Sequence, residues 1–152
     1  MSNIEQEALR LDHPAYHAEP RRGWGGYTRR VSVMSTMDPA GGRRLLRRYM
    51  PGLTAEQHRS IARGHVELAL KHRQGWSDTA DEAAQATFGR NFGIHDYKVS
   101  AIGRDEFSEA HKERLRQHAY SKGDHHRLAV LHFMAAGHRH QTALGFCRES
   151  GL

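Results

Sequence analysis

The chain predicts a mainly α fold: a single compact domain of about five helices with a small two-stranded β element. Three observations lead there. Apolar residues recur at helical spacing along most of the length, helix-start and helix-stop signals bracket those stretches, and residues 28–34 and 94–102 are rich in β-branched side chains. With 152 residues, 38% hydrophobic and 26% charged, the chain is long enough for one domain with a real core and too apolar for a disordered one.

Taken in order, residues 3–11 place Ile4, Ala8 and Leu11 at helical spacing. Residues 12–27 read as an irregular arm, because Pro14, Pro20, Gly23, Gly25 and Gly26 break helices and ladders alike. Val31 and Val33 alternate with polar neighbours in the first strand. Asp38-Pro39 starts a helix that reaches Tyr49 and stops at Pro51-Gly52. Thr54 with Gln57 forms a capping-box pattern for a helix over 55–73, which Gly75 would close. Ser77 or Asp78 would cap the next, over 79–88, ended by Gly89. The second strand, 94–102, lies between Gly93 and Gly103. Helices over 105–121 and 125–136 are divided by Gly123-Asp124, and a short helix covers 141–148.

Histidine spacing is the least random feature. His58, His65 and His72 step by seven, as do His111, His118, His125 and His132. That is five pairs where random placement would give roughly one. Seven residues is nearly two helical turns, so each run forms a stripe on one face. On a helical wheel the stripe falls among Ile61, Ala62, Val66, Leu68 and Ala69 in one helix and Phe107 and Leu115 in another. These are core-face imidazoles, expected to pack neutral and hydrogen-bonded, so that stability falls with falling pH. His125 joins the pattern only across the Gly123-Asp124 break, which makes its register a coincidence on this reading. No metal and no cofactor are expected: the sequence has no HExxH and no second cysteine, and i, i+7 histidines lie too far apart to share an ion.

Charge is polarised. Residues 21–76 hold twelve Lys/Arg against three acids, while the rest of the chain holds eleven against fourteen. Four Arg-Arg pairs fall within this segment: Arg21-Arg22, Arg29-Arg30, Arg43-Arg44 and Arg47-Arg48. Trp24 and Tyr27 lie between the first two, in a glycine-rich stretch that offers stacking faces beside guanidinium groups. Ala40-Gly41-Gly42 would leave first-turn N–H groups open to an anion. Asp38 is the sole acid between residues 20 and 55, so internal neutralisation is scarce.

The chain therefore reads as a small basic, non-enzymatic protein that binds nucleic acid or a nucleoprotein complex through residues 21–48. An alternative is a protein-directed inhibitor or adaptor docking on an acidic partner surface. A second is a histidine-dependent metal enzyme such as a nuclease, using Asp96, Glu113 or Asp124. Phe88 and Phe92 form a third candidate surface, for which core packing is the stronger expectation. Met1 to Leu11 carries acids rather than a basic-then-apolar signal, no apolar run suits a membrane, and Cys147 is a lone cysteine. A cytoplasmic protein is expected, with Cys147 a small hydrophobe and a histidine-lined helix face suited to a homo-oligomer.

Overall fold

The computed structural model describes residues 1–16 and 38–152. The strand expected at 28–34, most of the arm, and Arg21, Arg22, Trp24, Tyr27, Arg29 and Arg30 lie outside the described residues. Within them are six α-helices: α1 (Asn3–Ala8), α2 (Pro39–Tyr49), α3 (Ala55–Phe88), α4 (Tyr97–Ile102), α5 (Glu109–Ala135) and α6 (His140–Glu149). Short 3-10 turns occupy Pro14–Tyr16 and Arg104–Glu106.

No strand occurs among the described residues, so the two-stranded β element is corrected. Residues 97–102 are helical because local punctuation outranks β propensity. The Asp96 carboxylate accepts the Lys98 N–H at 2.9 Å, a helix N-cap, and Gly103 takes φ +86° at the other end. Val99, which suggests a strand by its β-branched side chain, is instead the buried anchor of α4.

Two expected helix breaks are also absent. Residues 55–73 and 79–88 belong to one 34-residue helix, and 105–121 and 125–136 largely merge into the 27 residues of α5. Gly75 does not stop α3. A Cβ there would lie 2.6 Å from the His118 ring, so glycine admits an imidazole rather than ending a helix. The capping box at Thr54 and Gln57 does form, with reciprocal bonds of 2.9 and 3.1 Å.

Two compact units make up the chain: Met1–Leu70 with Gly123–Leu152, and Lys71–Lys122. The first is built on two clusters. Tyr16, Leu46, Met50, Ile61, Leu128 and Leu131 form one; Ala62, Val66, Ala129, Phe133, Met134 and Cys147 form the other. The second unit centres on Ala80, Ala83, Ala84, Val99, Phe107 and Leu115, with Phe88 and Phe92 packed against it. No helix among the described residues is long and apolar enough to cross a membrane.

Candidate functional site

Core placement is matched by burial for His58, His65 and His132, His125 is buried with them, and His72, His111 and His118 are half-buried. His65 and His132 are 0% exposed, His58 3% and His125 4%. In the first unit they form two cross-helix pairs between α3 and α5, His58 Nδ1 to His132 Nδ1 at 3.1 Å and His65 Nδ1 to His125 Nδ1 at 2.8 Å. A step of seven up α3 meets a step of seven down α5, the register of two antiparallel helices. His125 therefore belongs to the pattern, because α5 runs unbroken through Gly123 and Asp124.

No sequence pattern marks the residue that joins the two pairs. Tyr16, fully buried at the end of the 3-10 turn that Pro14 begins, places its hydroxyl 2.7 Å from the Ala8 carbonyl. The same oxygen is 3.0 Å from His65 Nε2 and 2.9 Å from His132 Nε2. A carbonyl only accepts, so the phenol donates to Ala8 and its oxygen accepts from both Nε2–H groups. Neutral His65 and His132 then present bare Nδ1 atoms inward, and His58 and His125 must donate to them. One tautomer pattern thus satisfies all five contacts with every ring uncharged.

Burial holds the rings in that state. It pushes His65 and His132 well below their ordinary pKa of 6.5, helped by neighbouring imidazoles, and burial raises the Tyr16 phenol well above its usual value. His58 is lowered by burial first and then by the Arg47 guanidinium. In the second unit His72 Nδ1 meets His118 Nδ1 at 3.1 Å, and burial followed by His118 lowers His72.

The facing nitrogens of these pairs bond to one another, and among the described residues no three His, Cys, Asp or Glu side chains are arranged to hold an ion. The carboxylates considered for catalysis are engaged locally. Asp96 caps α4, Glu113 bonds Arg116 and Gln117, and Asp124 lies 3.5 Å from Arg127. Burial pushes the Cys147 thiol up to about 11, which keeps it an unreactive hydrophobe at neutral pH.

The arginine helix α2 is amphipathic. Leu45, Leu46 and Met50 enter the core, while Arg44, Arg47 and Arg48 are exposed and Arg43 is half-buried. Arg47 also closes a helix end, since its Nη2 and Nε donate to the Ala135 carbonyl, the last of α5, at 2.7 and 3.3 Å. Arg48 lies over the Tyr49 ring at 5.3 Å. Arg43 Nε is buried with no hydrogen-bond partner among the described residues. The expected anion site at the start of α2 is occupied by the chain itself, since Asp38 accepts the Gly41 N–H at 3.0 Å. Phe88 and Phe92, 6.3 Å apart, are packing residues.

No protein-family model matches the chain, and neither a curated protein nor a solved structure matches it.

Proposed function

We propose that this protein binds nucleic acid, free or within a nucleoprotein complex, through its arginine-rich segment 21–48. The observation that carries this reading is the seating of α2. Its leucines fasten one edge to the core, which leaves Arg44 and Arg48 outward, with Arg47 between them exposed but donating to the end of α5. Asp38 is the sole acid from residue 20 to residue 55, and its carboxylate caps the helix rather than pairing with these arginines along its length. In sequence, Arg21, Arg22, Arg29 and Arg30 add four cations to this segment, and Trp24 and Tyr27 add two aromatic rings of the kind that stack on bases.

Phosphate contacts release counterions, so binding should weaken steeply with salt, by close to one power of salt concentration for each phosphate neutralised. The informative variant is Arg44→Ala with Arg48→Ala, because neither side chain caps α5. Fluorescence anisotropy on labelled RNA, single-stranded DNA and duplex DNA should show weaker binding and a salt slope shallower by about two. Binding that ignores salt, or no binding to any nucleic acid at low salt, would sink the proposal. A partner that survives nuclease digestion in a pull-down would instead identify an acidic protein surface as the target.

A further inference from the structure

The first unit holds a cavity of about 360 Å³ between α3, α5 and α6, and it shares no residue with segment 21–48. One wall is aromatic. Phe133 and Phe146 meet at 5.1 Å between ring centroids, and the His138 ring stands edge-on to Phe146 at 4.9 Å. The opposite chemistry comes from Arg59 and Arg63. Both guanidinium groups reach the same carboxylate, Glu56, at 3.1 Å each, which shows that their heads can clasp one oxyanion. Glu56 is 68% exposed, and a surface pair of this kind is weak and replaceable. Three further polar residues complete the lining: Ser150, the exposed Glu149 carboxylate, and His138, whose Nε2 is buried with no hydrogen-bond partner among the described residues.

We propose that this cavity binds one unpaired nucleotide. The base lies against Phe133 and Phe146, the phosphate displaces Glu56 between Arg59 and Arg63, and Glu149 accepts a hydrogen bond from an exocyclic amine of the base. Each part uses a group suited to it: every base has a face to stack, guanidinium forks match phosphate, and a carboxylate pairs with an amino edge. The volume lies in the range of small-ligand pockets. An all-apolar ligand would leave both arginines and Glu149 without a role, and a simple anion would leave the aromatic wall without one. The carboxylate also implies a preference, since uracil and thymine carry no exocyclic amine.

Calorimetric titration of the full chain with AMP, UMP, adenosine and inorganic phosphate tests this. AMP should bind about tenfold or more tighter than adenosine, which lacks the phosphate, and than UMP, which lacks the amine. Arg59→Ala with Arg63→Ala should remove the advantage of AMP over adenosine; Arg63 is exposed and Arg59 half-buried, and a thermal melt checks that the fold persists. Glu149→Ala should bring AMP and UMP together while leaving phosphate recognition in place. The Arg44→Ala, Arg48→Ala variant should bind AMP as the parent does, which separates this pocket from the arginine helix. If the Arg59/Arg63 change weakens a single-stranded oligoadenylate as well as AMP, the nucleotide belongs to a strand; if it weakens AMP alone, the ligand is a free nucleotide. Equal affinity for AMP and inorganic phosphate, or AMP binding indifferent to Arg59 and Arg63, overturns the proposal.

Discussion

At the scale of the residue, one oxygen organises the core of the first unit. Tyr16 Oη accepts from two buried imidazoles and donates to Ala8, so its removal strands three polar groups at once. Tyr16→Phe keeps the ring and its packing, yet each orphaned group costs about 1–3 kcal/mol. The variant should lose about 3 kcal/mol or more, read as a lower denaturant midpoint with unchanged m-value. A loss under about 1 kcal/mol would mean that the three contacts do not form. Much of this site is legible in the sequence: helical spacing puts His58, His65 and His132 on the core side, where they lie. Tyr16 is not, because its role depends on a turn that delivers it forty-nine residues upstream of His65, and no periodicity marks such a turn.

At the scale of the element, the signals that mislead are glycines and β-branched residues. Gly75 and Gly123 resemble helix stops, yet both sit inside continuous helices, where neighbouring packing supplies what propensity withholds. Gly75 is there for space. Gly75→Ala gains about 1 kcal/mol of helix propensity but drives a Cβ to 2.6 Å from a ring that is hydrogen-bonded to His72, a clash of the order of 1–3 kcal/mol. The expected outcome is net destabilisation in thermal melts. Gly145→Ala in α6 is the contrast, since nothing lies within 4 Å of the added atom; it should stabilise by up to about 1 kcal/mol. If both changes stabilise, the His72–His118 contact is looser than described. Helix starts at Asp38 and at Thr54 are legible in the sequence, because a cap is a local arrangement between a side chain and its own backbone. The same local logic explains why 94–102 forms no strand: Asp96 and Gly103 specify a helix, and they outweigh the β-branched Val99 and Ile102.

At the scale of the whole molecule, His58, His65, His72 and His132, among the described residues, are held below their ordinary pKa of 6.5. A depressed folded-state value means that the unfolded chain takes up protons first as pH falls. Stability is therefore complete above about pH 6.5 and declines below it, until each ring reaches its folded-state value. Each ring contributes up to about 1.4 kcal/mol per pH unit across that window. Unfolding midpoints should be flat from about pH 7 to 8 and fall steadily from about pH 6.5 to 5. A midpoint unchanged over the lower range would contradict the neutral network. The boundaries of the two units, at Leu70 and Gly123, fall inside α3 and α5, close to the Gly75 and Gly123 signals that the helices run through without ending.

The Tyr16 junction also decides how charge travels. A proton arriving at His58 or His125 can pass inward along one arm, to His132 or His65, by exchanging places across an Nδ1–Nδ1 bond. There it halts. The phenol oxygen already receives two N–H groups, and the hydroxyl hydrogen rests on a backbone carbonyl that hands it to nothing. The two arms are blind alleys meeting at a closed door, so the cluster offers no through-path for charge, and the rings at the door, His65 and His132, are the ones where burial most disfavours it. The first proton trapped in one arm raises the electrostatic cost of filling the other, through the 5.4 Å stack of His65 on His132.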